Sequence, residues 1–142
     1  MDKNDVLEKL AELGFDLEEV TGTGYLFRFE ELTFLYLPDE DDNTLRFAVP
    51  NIYDVTEENR IYVLEVMNAT NLMIKYSKAC IYDDNVWVFY EIRLFGDGDL
   101  EEMIEHSLLL LQATVGLFHR KVEGEDIECI DDEDDENNED EE

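Results

Sequence analysis

Apolar positions along this chain switch between helical and strand spacing, and the switches mark out its elements. Val6, Leu7, Leu10 and Leu13 form a helical stripe, with Gly14 where a C-terminal cap would stand. A Thr-Gly-Thr-Gly loop at 21–24 leads into Tyr25, Phe27 and Phe29, which alternate with Leu26, Arg28 and Glu30 as in a strand. A turn at Glu30–Glu31 and a second strand from Leu32 to Leu37 follow, ending at Pro38. A polar loop precedes a third strand, Leu45 to Val49, closed by Pro50. Short connections between the three predict an antiparallel meander.

The second half opens with Thr56 as the expected N-cap, and Glu57 and Glu58 suit the first turn of a helix. Val63, Val66, Met67 and Thr70 recur at helical spacing up to about Ile74. Strand character returns from Tyr76 to Tyr82, the Asp-Asp-Asn run at 83–85 predicts a hairpin turn, and Val86 to Phe95 is the longest strand. Asp99 and Glu102 have capping-box spacing. Behind them Leu100, Met103, Ile104, Ser107, Leu108, Leu111, Thr114, Val115 and Phe118 form the stripe of a long last helix. The order α-β-β-β-α-β-β-α predicts an α+β fold with an antiparallel sheet.

Charge changes this picture at one end. The 142 residues hold 39 acidic and 10 basic side chains, a formal net charge of −29. Thirteen of the acids fall between Glu125 and Glu142, where no basic residue occurs. The last twelve positions hold nothing apolar, so residues 1–124 are expected to form a single domain and 125–142 a disordered acidic tail. The charge makes nucleic acid and anionic membranes poor partners. No apolar run approaches the roughly 18 residues that span a bilayer, and the first ten residues lack a basic leader. A cytoplasmic location is the expectation.

Catalytic patterns are scarce. Cys80 and Cys129 make no disulfide framework, and His106 and His119 are too few and too far apart for a tetrahedral metal site. Glu102 and His106 could pair at i,i+4 spacing. The Asp-rich stretches read as turns, since the calcium loop of an EF-hand is missing. Gly22 and Gly24 precede a strand and so form no dinucleotide fingerprint. No catalytic residue, cofactor or metal is expected. An enzyme with an unrecognised carboxylate site ranks low among the alternatives.

The surplus is apolar instead. One face of the longest strand carries Val86, Val88, Tyr90, Ile92 and Leu94; the other carries Trp87, Phe89, Glu91, Arg93 and Phe95. In the last helix Leu109, Leu110 and Leu117 fall outside the main stripe. Either both faces are buried within one domain, or a second apolar surface serves a partner. On the second reading Phe89, Leu109 and Leu117 are the candidate protein-binding residues.

Asn68 and Asn71 on the predicted helix, the Lys75–Lys78 stretch, the Asp-rich turn and Val-Trp-Val-Phe-Tyr-Glu at 86–91 together resemble the bacterial YbjN-like proteins. Phe27 to Leu37 and Leu45 to Pro50 are similar to that family's meander, and the likeness covers roughly residues 3–122. The resemblance implies the fold shared with type III secretion chaperones, in a small cytosolic protein, often dimeric, without catalytic residues. Chaperones of that fold hold an unfolded client segment along exposed apolar surface. The expected function is therefore a non-enzymatic polypeptide-binding, chaperone-like or adaptor/regulatory protein, a homodimer whose charge would favour basic clients. An acidic nucleic-acid mimic that occupies basic proteins is the alternative. The side chains of Asn68 and Asn71 are expected to hold a helix end or neighbouring backbone.

Overall fold

The computed structural model describes residues 2–38, 43–94 and 98–124. Its elements are α1 (Lys3–Glu12), β1 (Glu18–Val20), β2 (Gly24–Phe29), β3 (Leu32–Tyr36), β4 (Thr44–Asp54), α2 (Arg60–Met73), β5 (Ser77–Tyr82), β6 (Asn85–Arg93) and α3 (Leu100–Val122). All strand pairs are antiparallel in one six-stranded sheet of order β1-β2-β3-β4-β6-β5. The fold is α+β, as the periodicity predicts, with one additional strand. β1 has only three residues and none of them is buried, so it leaves no apolar alternation to read. The expected tail falls outside the described residues, as does Phe95.

Alternation along the strands sends Phe27, Phe34, Tyr36, Leu45, Phe47, Val49, Val86, Val88 and Tyr90 to one face. There they pack with Val6 and Leu10 of α1, Val63, Val66 and Met67 of α2, and Ile104, Leu108, Leu111, Val115 and Phe118 of α3. Phe27, Tyr36 and Phe47 form the aromatic centre, with Phe47 edge-on to Phe27 at 5.9 Å and tilted against Tyr36 at 5.5 Å. Burying each such ring contributes about 2–3 kcal/mol. α3 crosses the middle of this face, tied to β5 where the buried Ser77 and Thr114 hydroxyls meet at 2.7 Å.

Three local expectations need correction. Pro50 does not end its strand: β4 continues to Asp54 through an irregularity in which residues 50–52 face Trp87 alone. Proline lacks an N–H, and here it sits where the β4 ladder is already broken. α2 begins at Arg60, not after Thr56. Thr56 and Asn59 nevertheless exchange the side-chain-to-backbone bonds of a capping pair, at 2.8 and 3.2 Å, around the turn that precedes the helix. Leu117 is 5% exposed and belongs to the core, because α3 packs against both the sheet and α2 and so buries a wider arc than one stripe.

Both tight hairpins use non-glycine residues with positive φ, Glu30 and Glu31 in one and Asp83 and Asp84 in the other. Such a left-handed pair matches the right-handed twist of the flanking strands. In the first hairpin the Arg28 guanidinium donates to the Glu31 carbonyl at 3.2 Å.

Candidate functional site

The helices all lie on one side of the sheet, and on the other the register aligns a second apolar row. Leu26 pairs with Leu35, Leu35 with Ala48, Ala48 with Phe89, and Phe89 with Lys78. One step along, Trp87 lies opposite Cys80. Leu35, Leu37 and Ala48 are buried, with half-buried Leu26, Trp87 and Phe89 packed around them. The half-buried hydrophobic residues packed on this cluster come from β2 and β6, and none from a described helix. Trp87 stacks on Phe89 at 5.8 Å, and the exposed Tyr82 ring stands edge-on to Trp87 at 5.0 Å. We call this surface the open face.

Its charge is unlike that of the chain. Arg28, Arg46, Lys78 and Arg93 occupy outward strand positions, four of the chain's ten basic residues. The outward acids on the strands are Glu18, Asp54 and Glu91. Glu91 sits between Arg46 at 3.1 Å and Lys78 at 3.4 Å. These ion pairs are solvent-exposed and contribute little stability, on the order of 0–1 kcal/mol each. Their importance is positional, since they frame the aromatic row with cations. The Cys80 thiol, in the same region, is pushed above its ordinary pKa by burial and stays protonated at neutral pH.

The irregular stretch of β4 is pinned from both faces of the sheet. On the open face the Trp87 indole N–H donates to Asn51 Oδ1 at 3.1 Å, and Asn51 takes a positive φ. On the helix side His119 Nε2 meets the Ile52 carbonyl at 2.8 Å. β4 carries two extra residues here, an even number, so the alternation survives and Tyr53 packs against Phe118. β3 pairs with β4 only at Leu35–Ala48 and Tyr36–Phe47, which leaves this half of β4 without a described strand on its β3 side.

Neither sheet edge invites strand addition. β1 is short and carries Glu18 and Glu19. At β5 the Asn71 side chain turns back from α2, donating to the Ala79 carbonyl at 3.1 Å and accepting from the Ala79 N–H at 2.8 Å. An amide side chain thus occupies the middle of the free edge, a device that blocks pairing with another chain. The expectation that these asparagines hold neighbouring backbone is met at Asn71; Asn68 is exposed.

Other surface features are separate. Leu109 is 57% exposed and lines, with Leu13, Phe15, Phe29, Glu105 and Leu108, a cavity of about 450 Å³ on the helix side. Ile61, Leu64 and Leu72 form an exposed stripe along α2, while the Tyr62 hydroxyl donates to the Val122 carbonyl at 2.9 Å. His106 Nδ1 meets the Tyr90 hydroxyl at 2.9 Å, so its nearest polar partner is a tyrosine on β6 and not the expected Glu102. Burial raises the Tyr90 pKa, which keeps the phenol protonated as a tie between β6 and α3. Among the described residues no group of three His, Cys, Asp or Glu side chains could hold a metal ion, and no helix is long and apolar enough to cross a membrane.

The three residues singled out from the sequence therefore do not share a surface. Phe89 lies on the open face, Leu109 on the helix side, and Leu117 in the core. Sequence reading placed Trp87 beside Phe89 on one strand face but did not single it out. Leu26, Arg28, Arg46 and Lys78 join them only through cross-strand register, which a single strand's pattern does not carry.

Three helices on one side of a meander extended by a β5–β6 hairpin define an α+β fold with one helix-covered and one open sheet face. No family model matches the sequence, and no curated protein matches it significantly. The fold is YbjN-like. The crystal structure of YbjN from E. coli superposes with a TM-score of 0.59 at 15% identity, over 84% of this chain and 91% of that one. An uncharacterized protein from Methanothermobacter thermautotrophicus superposes with a TM-score of 0.58 at 12% identity, over 87% of this chain and 97% of its own.

Proposed function

We propose that this protein is a non-enzymatic, cytosolic polypeptide-binding adaptor or regulator, and that the open face is its contact surface. The observation that carries the reading is the row Leu26, Leu35, Phe89 with Trp87, framed by Arg28, Arg46 and Lys78. Aromatic anchors at the centre and cations at the rim are the composition of a protein-binding patch. YbjN itself carries a suggested role in transcription regulation, which is compatible with an adaptor. Local charge revises the expected client. A segment seated on this face meets arginine and lysine first, so an acidic segment with apolar side chains suits it better than a basic one. Asn71 obstructs the β5 edge and β1 offers only three residues, so side-chain contacts on the face carry the binding in this reading.

A permanently unfolded acidic protein, carboxymethylated α-lactalbumin, should bind with micromolar affinity. Trp87→Ala and Phe89→Ala should each weaken binding about tenfold or more, with circular dichroism unchanged. Aromatic rings and arginines on a sheet can also stack single-stranded bases. Binding of an oligothymidylate through Trp87, without binding of the unfolded protein, would replace the polypeptide reading with a nucleic-acid one.

The exposed stripe Ile61, Leu64 and Leu72 supports self-association as a second part of the proposal. Light scattering at micromolar concentration should return about twice the 16.7 kDa chain mass. Leu72→Lys should return the single-chain mass; a parent chain that is already monomeric would leave α2 without this role.

A further inference from the structure

The cavity of about 450 Å³ on the helix side belongs to neither the open face nor the exposed α2 stripe. Three parts of the fold wall it. The turn that ends α1 supplies Leu13 and Phe15, β2 supplies Phe29, and α3 supplies Glu105, Leu108 and Leu109. Glu105 is the only charged residue among these six. We propose that this cavity binds a small amphiphile, an apolar body that carries one protonated amine, with the amine at Glu105. The site lies on the opposite side of the sheet from the open face, so occupancy of one leaves the other accessible.

Local structure holds the walls in place. At the end of α1 the Phe15 N–H donates to the Leu10 carbonyl at 3.1 Å, with Gly14 at φ +98° between them. That turn sets the Phe15 ring 5.0 Å from Phe27 and edge-on to Phe29 at 6.0 Å. Leu108 is buried, Leu13, Phe15 and Phe29 are half-buried, and Leu109 stands largely in water. An apolar body seated here would cover what these side chains leave exposed. The volume falls within the roughly 300–1,000 Å³ of small-molecule sites, which combine mostly apolar walls with few polar groups. Charge selects the head group. Glu105 and Leu109 are neighbours at i,i+4, so a carboxylate stands beside the apolar wall. Glu105 forms no ion pair among the described residues. Lys9 of α1 is already paired with Glu12 at 3.0 Å; Glu12 first, and then Glu101 and Asp99, raise its pKa. Acids therefore outnumber this cation where α1 meets the start of α3. The formal charge of −29 adds a long-range attraction for a cationic ligand.

Three probes that share one alkyl chain test this on the full-length protein: octylamine, 1-octanol and octanoate, titrated by calorimetry at neutral pH. One octylamine should bind per chain with a Kd of about 0.1–1 mM. Octanoate should bind about tenfold more weakly or worse, with 1-octanol between the two. Glu105→Gln should weaken octylamine about threefold and bring it close to 1-octanol. Glu101→Gln removes the same charge one turn away, outside the cavity, and should leave the affinity unchanged. Leu109→Ser should weaken octylamine and 1-octanol together, about threefold or more. In methyl NMR spectra octylamine should shift Leu13, Leu108 and Leu109 and leave Leu26 and Leu35 of the open face in place. Equal losses in Glu105→Gln and Glu101→Gln would mean that overall charge alone holds the amine, and would overturn the inference. Octanoate bound as tightly as octylamine, shifts at Leu26 and Leu35 instead, or no binding at one probe per chain would each overturn it too.

Discussion

Gly24→Ala should unfold the protein at markedly lower urea, with a loss of about 3 kcal/mol or more and an unchanged denaturant slope. Gly24 is buried at the start of β2, opposite Val20. A Cβ there falls onto the carbonyl oxygen of Tyr36, with the Leu37 side chain 3.4 Å away. The obstacle is backbone in the middle of the β1-β2-β3 arrangement, so no rotamer change relieves it. Gly116 is the control. It sits within α3 with nothing inside 4 Å of an added Cβ, and Gly116→Ala should stabilise by about 0.5–1 kcal/mol through helix propensity. Equal urea midpoints for the two variants would show that β2 and β3 are not held this close in solution.

Asn71→Ala removes both hydrogen bonds to Ala79 and should cost about 2 kcal/mol, read from the urea midpoint. A second effect is expected that a simple loss of bonds would not produce. The uncovered N–H and C=O of Ala79 become a template for another strand, and scattering should rise with concentration. Asn71→Asp keeps an acceptor for the Ala79 N–H but sets a carboxylate against the Ala79 carbonyl, so it should recover little stability. A stable Asn71→Ala variant without concentration-dependent scattering would mean that the β5 edge is protected by something other than this side chain.

Much of the fold is legible because its elements bury one face each. α1, α3 and the strands β2, β3 and β6 announce themselves through Leu10, Phe27, Phe34, Val88 and Leu108 at regular spacing. What escapes is structure made by position instead of pattern. β1 buries nothing, and the continuation of β4 past Pro50 depends on Trp87 and His119 reaching Asn51 and Ile52 from two different elements. The site divides in the same way. The two-faced pattern from Val86 onward corresponds to a second apolar cluster, which Trp87 and Phe89 join. Leu109 and Leu117 mislead because helix spacing does not reveal that Leu117 is buried while Leu109 stays outside. The cations of the open face are scattered over four strands, and their grouping exists only once register is known.

The sign reversal between the open face and the whole chain has a kinetic consequence. Out to about a Debye length, about 8 Å at physiological ionic strength, an approaching acidic ligand is repelled by a body of formal charge −29. Only within the last few ångströms do Arg28, Arg46 and Lys78 dominate. Added salt should first accelerate encounter by shrinking the long-range barrier, and then shorten residence by screening the contact itself. The affinity for an acidic ligand would therefore pass through a maximum at intermediate ionic strength, unlike the monotonic loss that oppositely charged partners show.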